Sequence, residues 1–134
     1  MQRANGKRNG FTLVELVVVV LVLGILAAVA APRVMNTASS AKNNGTKQSL
    51  AIVRNAIELY KSENGSYPTA ATLSTSLQTY LKGPFPTCQV GNVNATVAAS
   101  TASPITTPEA GGAGWAYNQS TGEFVVNHAD GIAW

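Results

Sequence analysis

The sequence predicts an α+β protein. One long N-terminal helix spans a membrane with its first half and packs through its second half on a small antiparallel β-sheet head. Three observations predict this. Residues 11–31 form an apolar run interrupted only by Thr12, Glu15 and Gly24. Apolar residues then recur at helical spacing as far as Tyr60. Near the C-terminus, two short apolar runs flank a turn that contains glycine. The chain divides accordingly into a leader (1–10), a helix (11–63, membrane-spanning over 11–31) and a globular α+β head (64–134).

The leader carries Arg3, Lys7 and Arg8 and no acidic residue. The 134-residue chain holds nine basic and six acidic side chains, so beyond the leader six stand against six. The net charge of +3 therefore belongs to the leader. It marks the N-terminus as cytoplasmic by the positive-inside rule, and places the head across the membrane. It gives no reason to expect nucleic acid as a partner. At about 1.5 Å per residue, the run 11–31 is long enough for a bilayer core of roughly 30 Å. Glu15 inside that run is costly, by about 2.5–3.5 kcal/mol at the bilayer centre and less near the edge. A carboxylate in that setting points to a function, here a charge waiting for a partner.

Pro32 interrupts the apolar character, and a helical period then returns. Leu50, Val53, Ala56, Ile57 and Tyr60 fall on one face. Asn64-Gly65, with Pro68 three residues on, stops the helix. One helix from about Phe11 to Glu63 would extend some 80 Å at ~1.5 Å per residue. Gly24 and Pro32 are its two weak points. In the head, Leu73, Leu77, Tyr80 and Leu81 predict a short helix stopped by Gly83-Pro84. The Ala-, Thr-, Ser- and Gly-rich stretch 91–114 reads as loop, with a short strand near Val93–Ala98. Trp115-Ala116-Tyr117-Asn118 and Glu123-Phe124-Val125-Val126 flank Gln119-Ser120-Thr121-Gly122 as a hairpin. Trp115, Tyr117 and Phe124 are the candidate head core. A domain this small buries little by itself, so the sheet is expected to pack on Leu50, Val53, Ile57 and Tyr60.

Lys7-Arg8-Asn9-Gly10 followed by Phe11-Thr12-Leu13-Val14-Glu15-Leu16, the apolar run and Ala31-Pro32-Arg33 closely resembles the prepilin family. That family comprises the type IV pilins and the pseudopilins of type II secretion. The resemblance covers about the first 55 residues. It implies that a membrane-embedded prepilin peptidase cuts between Gly10 and Phe11 and N-methylates Phe11. The subunit then waits in the bacterial inner membrane as a single-pass protein with a periplasmic head. An ATPase-driven inner-membrane platform stacks copies of it, with other pilin-like subunits, into a helical filament. Glu15 would face the Phe11 ammonium of a neighbour, and the stretch Gly24–Pro32 would unwind on assembly. The role implied is structural, not enzymatic, with no cofactor.

Within the family, Asn64-Gly65-Ser66-Tyr67-Pro68 and the Trp115–Glu123 hairpin resemble major-pseudopilin-like heads. A type II secretion pseudopilin is the leading expectation, and a type IV pilin for adhesion, motility or DNA uptake is the alternative. Major pseudopilins usually carry Asp-Pro-Trp-Gly before the tyrosine and a calcium loop with several acids. This chain has Gly112-Ala113-Gly114-Trp115, and only Asp130 follows the hairpin. The calcium site is not carried over.

Other features have plainer readings. Lys47, Arg54 and Lys61 recur every seventh residue, without interleaved aromatics, as a solvated or filament-contact face rather than a DNA stripe. His128 and Asp130 lack further metal ligands at suitable spacing. Cys88, the one cysteine, reads as a buried thiol. Four Asn-x-Ser/Thr triplets read as turn composition. No catalytic constellation stands out. A third hypothesis uses Ala28-Val29-Ala30 as a signal-peptide site that would release a soluble periplasmic binding domain. The length of the apolar run, Glu15 and Pro32 oppose it.

Overall fold

A computed structural model describes residues 10–134. The basic leader residues Arg3, Lys7 and Arg8 lie outside the described residues. Helix α1 runs Leu13–Asn64 and remains α-helical through Pro32. A 3₁₀ turn (Ala70–Thr72) leads into the four-residue helix α2 (Leu73–Ser76). Strands β1 (Val97–Ala99), β2 (Trp115–Asn118) and β3 (Glu123–Val126) form one sheet in that order.

The chain forms two compact units, one ending at Ala38 and one running Ser39–Trp134. In the first, every side chain from Gly10 to Ala38 is exposed. Val14, Leu16, Leu21, Leu23, Ile25 and Leu26 are each at least 59% exposed. A helical stretch apolar all round, with its side chains exposed, needs lipid or other helices around it.

In the second unit, α1 turns one apolar stripe onto the sheet. Leu50, Val53, Ala56 and Ile57 are buried with Leu73, Leu77, Trp115, Tyr117, Phe124 and Val126. The helix stops because Gly65 adopts φ +75°, a left-handed conformation that glycine takes without a Cβ penalty. Its N–H bonds the Lys61 carbonyl at 2.8 Å, closing the last turn. Asn64 is the last helical residue, one beyond the expected Glu63.

The short helix expected through Leu81 is truncated at Ser76 and continues as turns. Serines and threonines there compete for the backbone, as where Thr75 donates to the Thr72 carbonyl at 3.2 Å. Leu73 and Leu77 are nonetheless fully buried.

The hairpin strands fall where the sequence placed them, with Trp115 opposite Val126 and Tyr117 opposite Phe124. The sheet departs from the expected antiparallel arrangement in one respect. β1 runs parallel to β2, pairing Val97 with Trp115 and Ala99 with Tyr117, so the sheet is mixed. Parallel neighbours need a crossover of a dozen or more residues, and the 100–114 loop supplies it. That loop also covers the sheet's outer face, where Ile105 packs on Ala116 and Val125, with Ile132 alongside. β2 is therefore buried at all four positions.

Candidate functional site

At the N-terminus, Gly10, Phe11 and Thr12 precede the first turn of α1, and Phe11 is 79% exposed. The Gly10–Phe11 bond is thus non-helical and accessible, as a peptidase substrate must be. A Cβ at Gly10 would meet nothing within 4 Å. Among the described residues, no packing requires glycine there.

Thr12 and Glu15 form a capping box. The Glu15 Oε2 accepts the Thr12 N–H and the Thr12 hydroxyl, each at 2.9 Å. The Thr12 Oγ1 accepts the Glu15 N–H at 3.2 Å. The first intrahelical bond runs from the Leu16 N–H to the Thr12 carbonyl at 3.2 Å. Two N–H groups with no helical acceptor are satisfied reciprocally, and the negative charge sits at the positive end of the helix dipole. Both contacts of the Glu15 carboxylate fall on Oε2. Among the described residues, no donor or cation engages Oε1. Glu15 can cap its own helix with one oxygen and receive an outside cation with the other. Sequence reasoning singled out Glu15 but not Thr12; the signal was present in the Thr-x-x-Glu spacing ahead of an apolar run.

Gly24 lies in mid-helix, and a Cβ there would meet nothing within 4 Å. Among the described residues, no contact accounts for that glycine.

The head places the other candidates differently. Trp115, Tyr117 and Phe124 form a buried aromatic cluster, with the Trp115 and Phe124 rings stacked at 5.1 Å. The Trp115 indole N–H donates to the Pro86 carbonyl at 2.9 Å. The Tyr117 hydroxyl donates to the Pro68 carbonyl at 3.1 Å.

The basic stripe is committed within the head. Arg54 donates from Nε to the Phe124 carbonyl at 2.9 Å and from Nη2 to the Trp134 main-chain oxygen at 2.7 Å. Burial holds its pKa below the ordinary value, and the Glu123 charge partly offsets this. Lys47 Nζ sits 4.6 Å from the Trp134 ring centre, and Lys61 Nζ 4.1 Å from that of Tyr67. The sequence left Arg54 on an outer face; the structure makes it the tie between helix, β3 and the C-terminal segment.

Cys88 is buried, its thiol facing the Val90 carbonyl at 3.2 Å. His128 Nδ1 lies 3.5 Å from the Asp130 carboxylate. Among the described residues no three His, Cys, Asp or Glu side chains gather as a metal site.

Comparison with known proteins locates the same regions. Residues 5–31 match the model of the prokaryotic N-terminal methylation motif. Residues 33–89 match the model of type II secretion system (T2SS) protein G. A type II secretion system core protein G from Pseudomonas aeruginosa is 42% identical over 69 residues, 52% of this chain and 47% of that protein. The Escherichia coli protein of the same name is 36% identical over 67 residues, 50% of this chain and 46% of its own length. The Vibrio cholerae protein of that name is 38% identical over 63 residues, 47% of this chain and 43% of its own. The chain thus spans a little under half the length of the curated relatives it matches. The β2–β3 hairpin lies beyond both family-model matches. No solved structure matches the chain at comparable stringency.

Proposed function

The chain belongs to the family of type IV prepilins and type II secretion pseudopilins and is major-pseudopilin-like within it, and on that basis we propose that it is a structural pseudopilin of type II secretion. In this reading a prepilin peptidase cuts between Gly10 and Phe11 and methylates the new Phe11 amine. The mature subunit rests in the inner membrane with its head in the periplasm. It joins copies of itself and other pseudopilins in a helical filament that drives protein export. It performs no catalysis of its own.

The observation that carries this reading is the start of α1. An accessible Gly10–Phe11 bond leads directly into an exposed apolar helix whose fifth residue after the bond is a carboxylate with one oxygen unengaged. After cleavage, the Phe11 ammonium of a neighbour is a matching cation for Glu15 Oε1. Such a pair in a water-poor filament core fixes register more than it adds stability, because desolvation offsets much of the attraction. Removing one partner leaves a buried charge and costs about 3–5 kcal/mol. Gly24, which packs on nothing among the described residues, and Pro32, which lacks a helical N–H, are the points where α1 would yield as subunits join.

The test is the mass and N-terminal residue of the protein recovered from membranes. N-methyl-Phe11 is expected. A start at Ala31, in the soluble fraction, would overturn the filament reading and leave a free periplasmic domain.

A further inference from the structure

The half of α1 that packs on the sheet has a second side without a partner. At 3.6 residues per turn, Ala41, Gln48, Ile52, Asn55 and Leu59 fall within about 60° of arc, roughly opposite the buried Leu50, Val53 and Ile57. All five are exposed, Ile52 by 55% and Leu59 by 53%. Among the described residues beyond Ala38, Val93 is the one other large apolar side chain that stands exposed. A single exposed leucine needs no explanation, but the solvent side of a helix ordinarily carries charge. This strip carries none. From Ser39 onward the charged residues of α1 are Lys42, Lys47, Arg54, Glu58, Lys61 and Glu63, and none falls within that arc. Most are turned to their own head. The Tyr67 hydroxyl donates to Glu58 at 3.1 Å and accepts from Lys61 at 3.0 Å. Glu63, which borders the strip, accepts the Tyr80 hydroxyl at 2.6 Å. Apolar side chains in a charge-depleted surface are the composition of a protein contact.

A groove of about 440 Å³ opens elsewhere on the same head. Ala70, Ala71 and Ser74 line it from the 3₁₀ turn and α2, Ala95 and Val97 from the chain entering β1, and Phe85 completes it. No charged side chain lines it. Ala70, Phe85 and Val97 also pack against the buried core, so the fold itself sets the walls. Ile52 and Leu59 stand about 10 Å apart along the helix as two aliphatic knobs. An uncharged strip suits an uncharged groove, whereas a charged surface seated there would be desolvated without a partner. Strip and groove are different patches, so a contact between copies is heterologous: each head offers one patch and receives the other. Such contacts repeat into an open helical array when their rotation does not close, whereas strip against strip would close as a dimer.

We propose that the strip centred on Ile52 and Leu59 seats in the groove between α2 and β1 of a second copy, giving the filament a head-to-tail contact besides its helix packing. The inference rests on the filament reading above and assigns the surfaces through which two heads meet. It also explains why the charges of α1 are spent within the head: an outward lysine or glutamate on the strip would have to be desolvated as the next copy arrives.

The test is thiol cross-linking of the full chain in membranes with a short bismaleimide. Cys88 is fully buried and stays out of the reaction. The double variant Ile52→Cys with Ala71→Cys is expected to give a ladder of dimers, trimers and larger multimers. Each single variant is expected to stay monomeric. A double variant without multimers, or an Ile52→Cys variant that cross-links to itself, would overturn the proposal. Adding Leu59→Glu to the double variant is expected to cut the ladder about tenfold, because a carboxylate would enter the groove unpaired; an undiminished ladder overturns the proposal. Leu59 is exposed, so that change is expected to move Tm by under about 3 °C, and loss of the ladder then reports the contact and not the fold. The N-terminal mass is read on the same sample. N-methyl-Phe11 without the ladder overturns this contact and leaves the proposed function standing, whereas a start at Ala31 overturns both.

Discussion

Replacing Trp115 by alanine tests the packing of the head more directly than any other change. The side chain is fully buried, stacks on Phe124 at 5.1 Å and donates its indole N–H to the Pro86 carbonyl at 2.9 Å. Truncating a buried tryptophan costs about 3–5 kcal/mol, because the transfer energy is lost and the cavity collapses only in part. Trp115→Phe keeps an aromatic face against Phe124 but leaves the Pro86 carbonyl without its donor, for about 1–3 kcal/mol. In a domain of this size each kcal/mol moves Tm by about 4–8 °C. The alanine variant should therefore melt on the order of 20 °C below wild type, and the phenylalanine variant on the order of 10 °C below. Near-ultraviolet circular dichroism of the full chain in micelles reads the transition through the aromatic cluster itself. A Trp115→Ala protein melting within about 3 °C of wild type would refute the reasoning, since no fully buried indole can be removed at so small a cost.

Gly10→Ala should leave full-length precursor in the membrane; because a Cβ there meets nothing within 4 Å among the described residues, the block is expected to arise at the peptidase, and normal cleavage would refute the processing site. Glu15→Leu should be cleaved but excluded from filaments, whereas Glu15→Gln keeps an acceptor for Thr12 without the charge. If Glu15→Gln assembles like wild type, the carboxylate serves as a helix cap alone and the pairing with Phe11 is wrong. Stability should fall in alkali. Burial pushes the Cys88 thiol above its ordinary 9.0 and the Tyr117 phenol well above its ordinary 10.0. The unfolded chain therefore releases these protons at lower pH than the folded chain does, and stability declines as pH rises past about 9. A Tm unchanged between pH 8 and about pH 11 would contradict this, and Tyr117→Phe should flatten part of the slope.

The long helix and the hairpin were legible because their signals are local and periodic. Leu50, Val53 and Ile57 repeat along one face, Gly65 ends the helix, and Trp115, Tyr117 and Phe124 alternate across the strands. β1 was legible only in part: a short strand was expected near Val93–Ala98, and it forms at Val97–Ala99. Val97-Ala98-Ala99 carries little strand character, and its parallel pairing with β2 is fixed by the crossover of the 100–114 loop. Arg54 shows the deeper limit. Its acceptors are main-chain oxygens 70 and 80 residues away. A carbonyl carries no residue identity, so nothing in the sequence pairs Arg54 with Phe124 rather than with solvent. Asn94, Asn118 and Asn127 are silent for the same reason, since each bonds main-chain groups of other segments.

Glu15 meets two demands that usually conflict. A carboxylate entering a membrane must be compensated, or it drives the helix out of the apolar phase. A carboxylate that recruits a partner must remain available to it. The capping box reconciles them by dividing the work between the two oxygens. Oε2 takes the Thr12 N–H and hydroxyl, so that the charge rests on its own helix N-terminus while the subunit is alone. Among the described residues nothing engages Oε1, which under the proposed function would take a cation from outside. The position follows from geometry as well. A glutamate three residues past the cap reaches back to the cap's N–H, which keeps its charge in the first turn of the helix. A glutamate one turn deeper would lose Thr12 as a partner and sit further into the apolar phase. Under the proposed function, Thr12 is the residue that makes Glu15 tolerable in the membrane, and the two would act as one unit in storing the subunit and in presenting its charge.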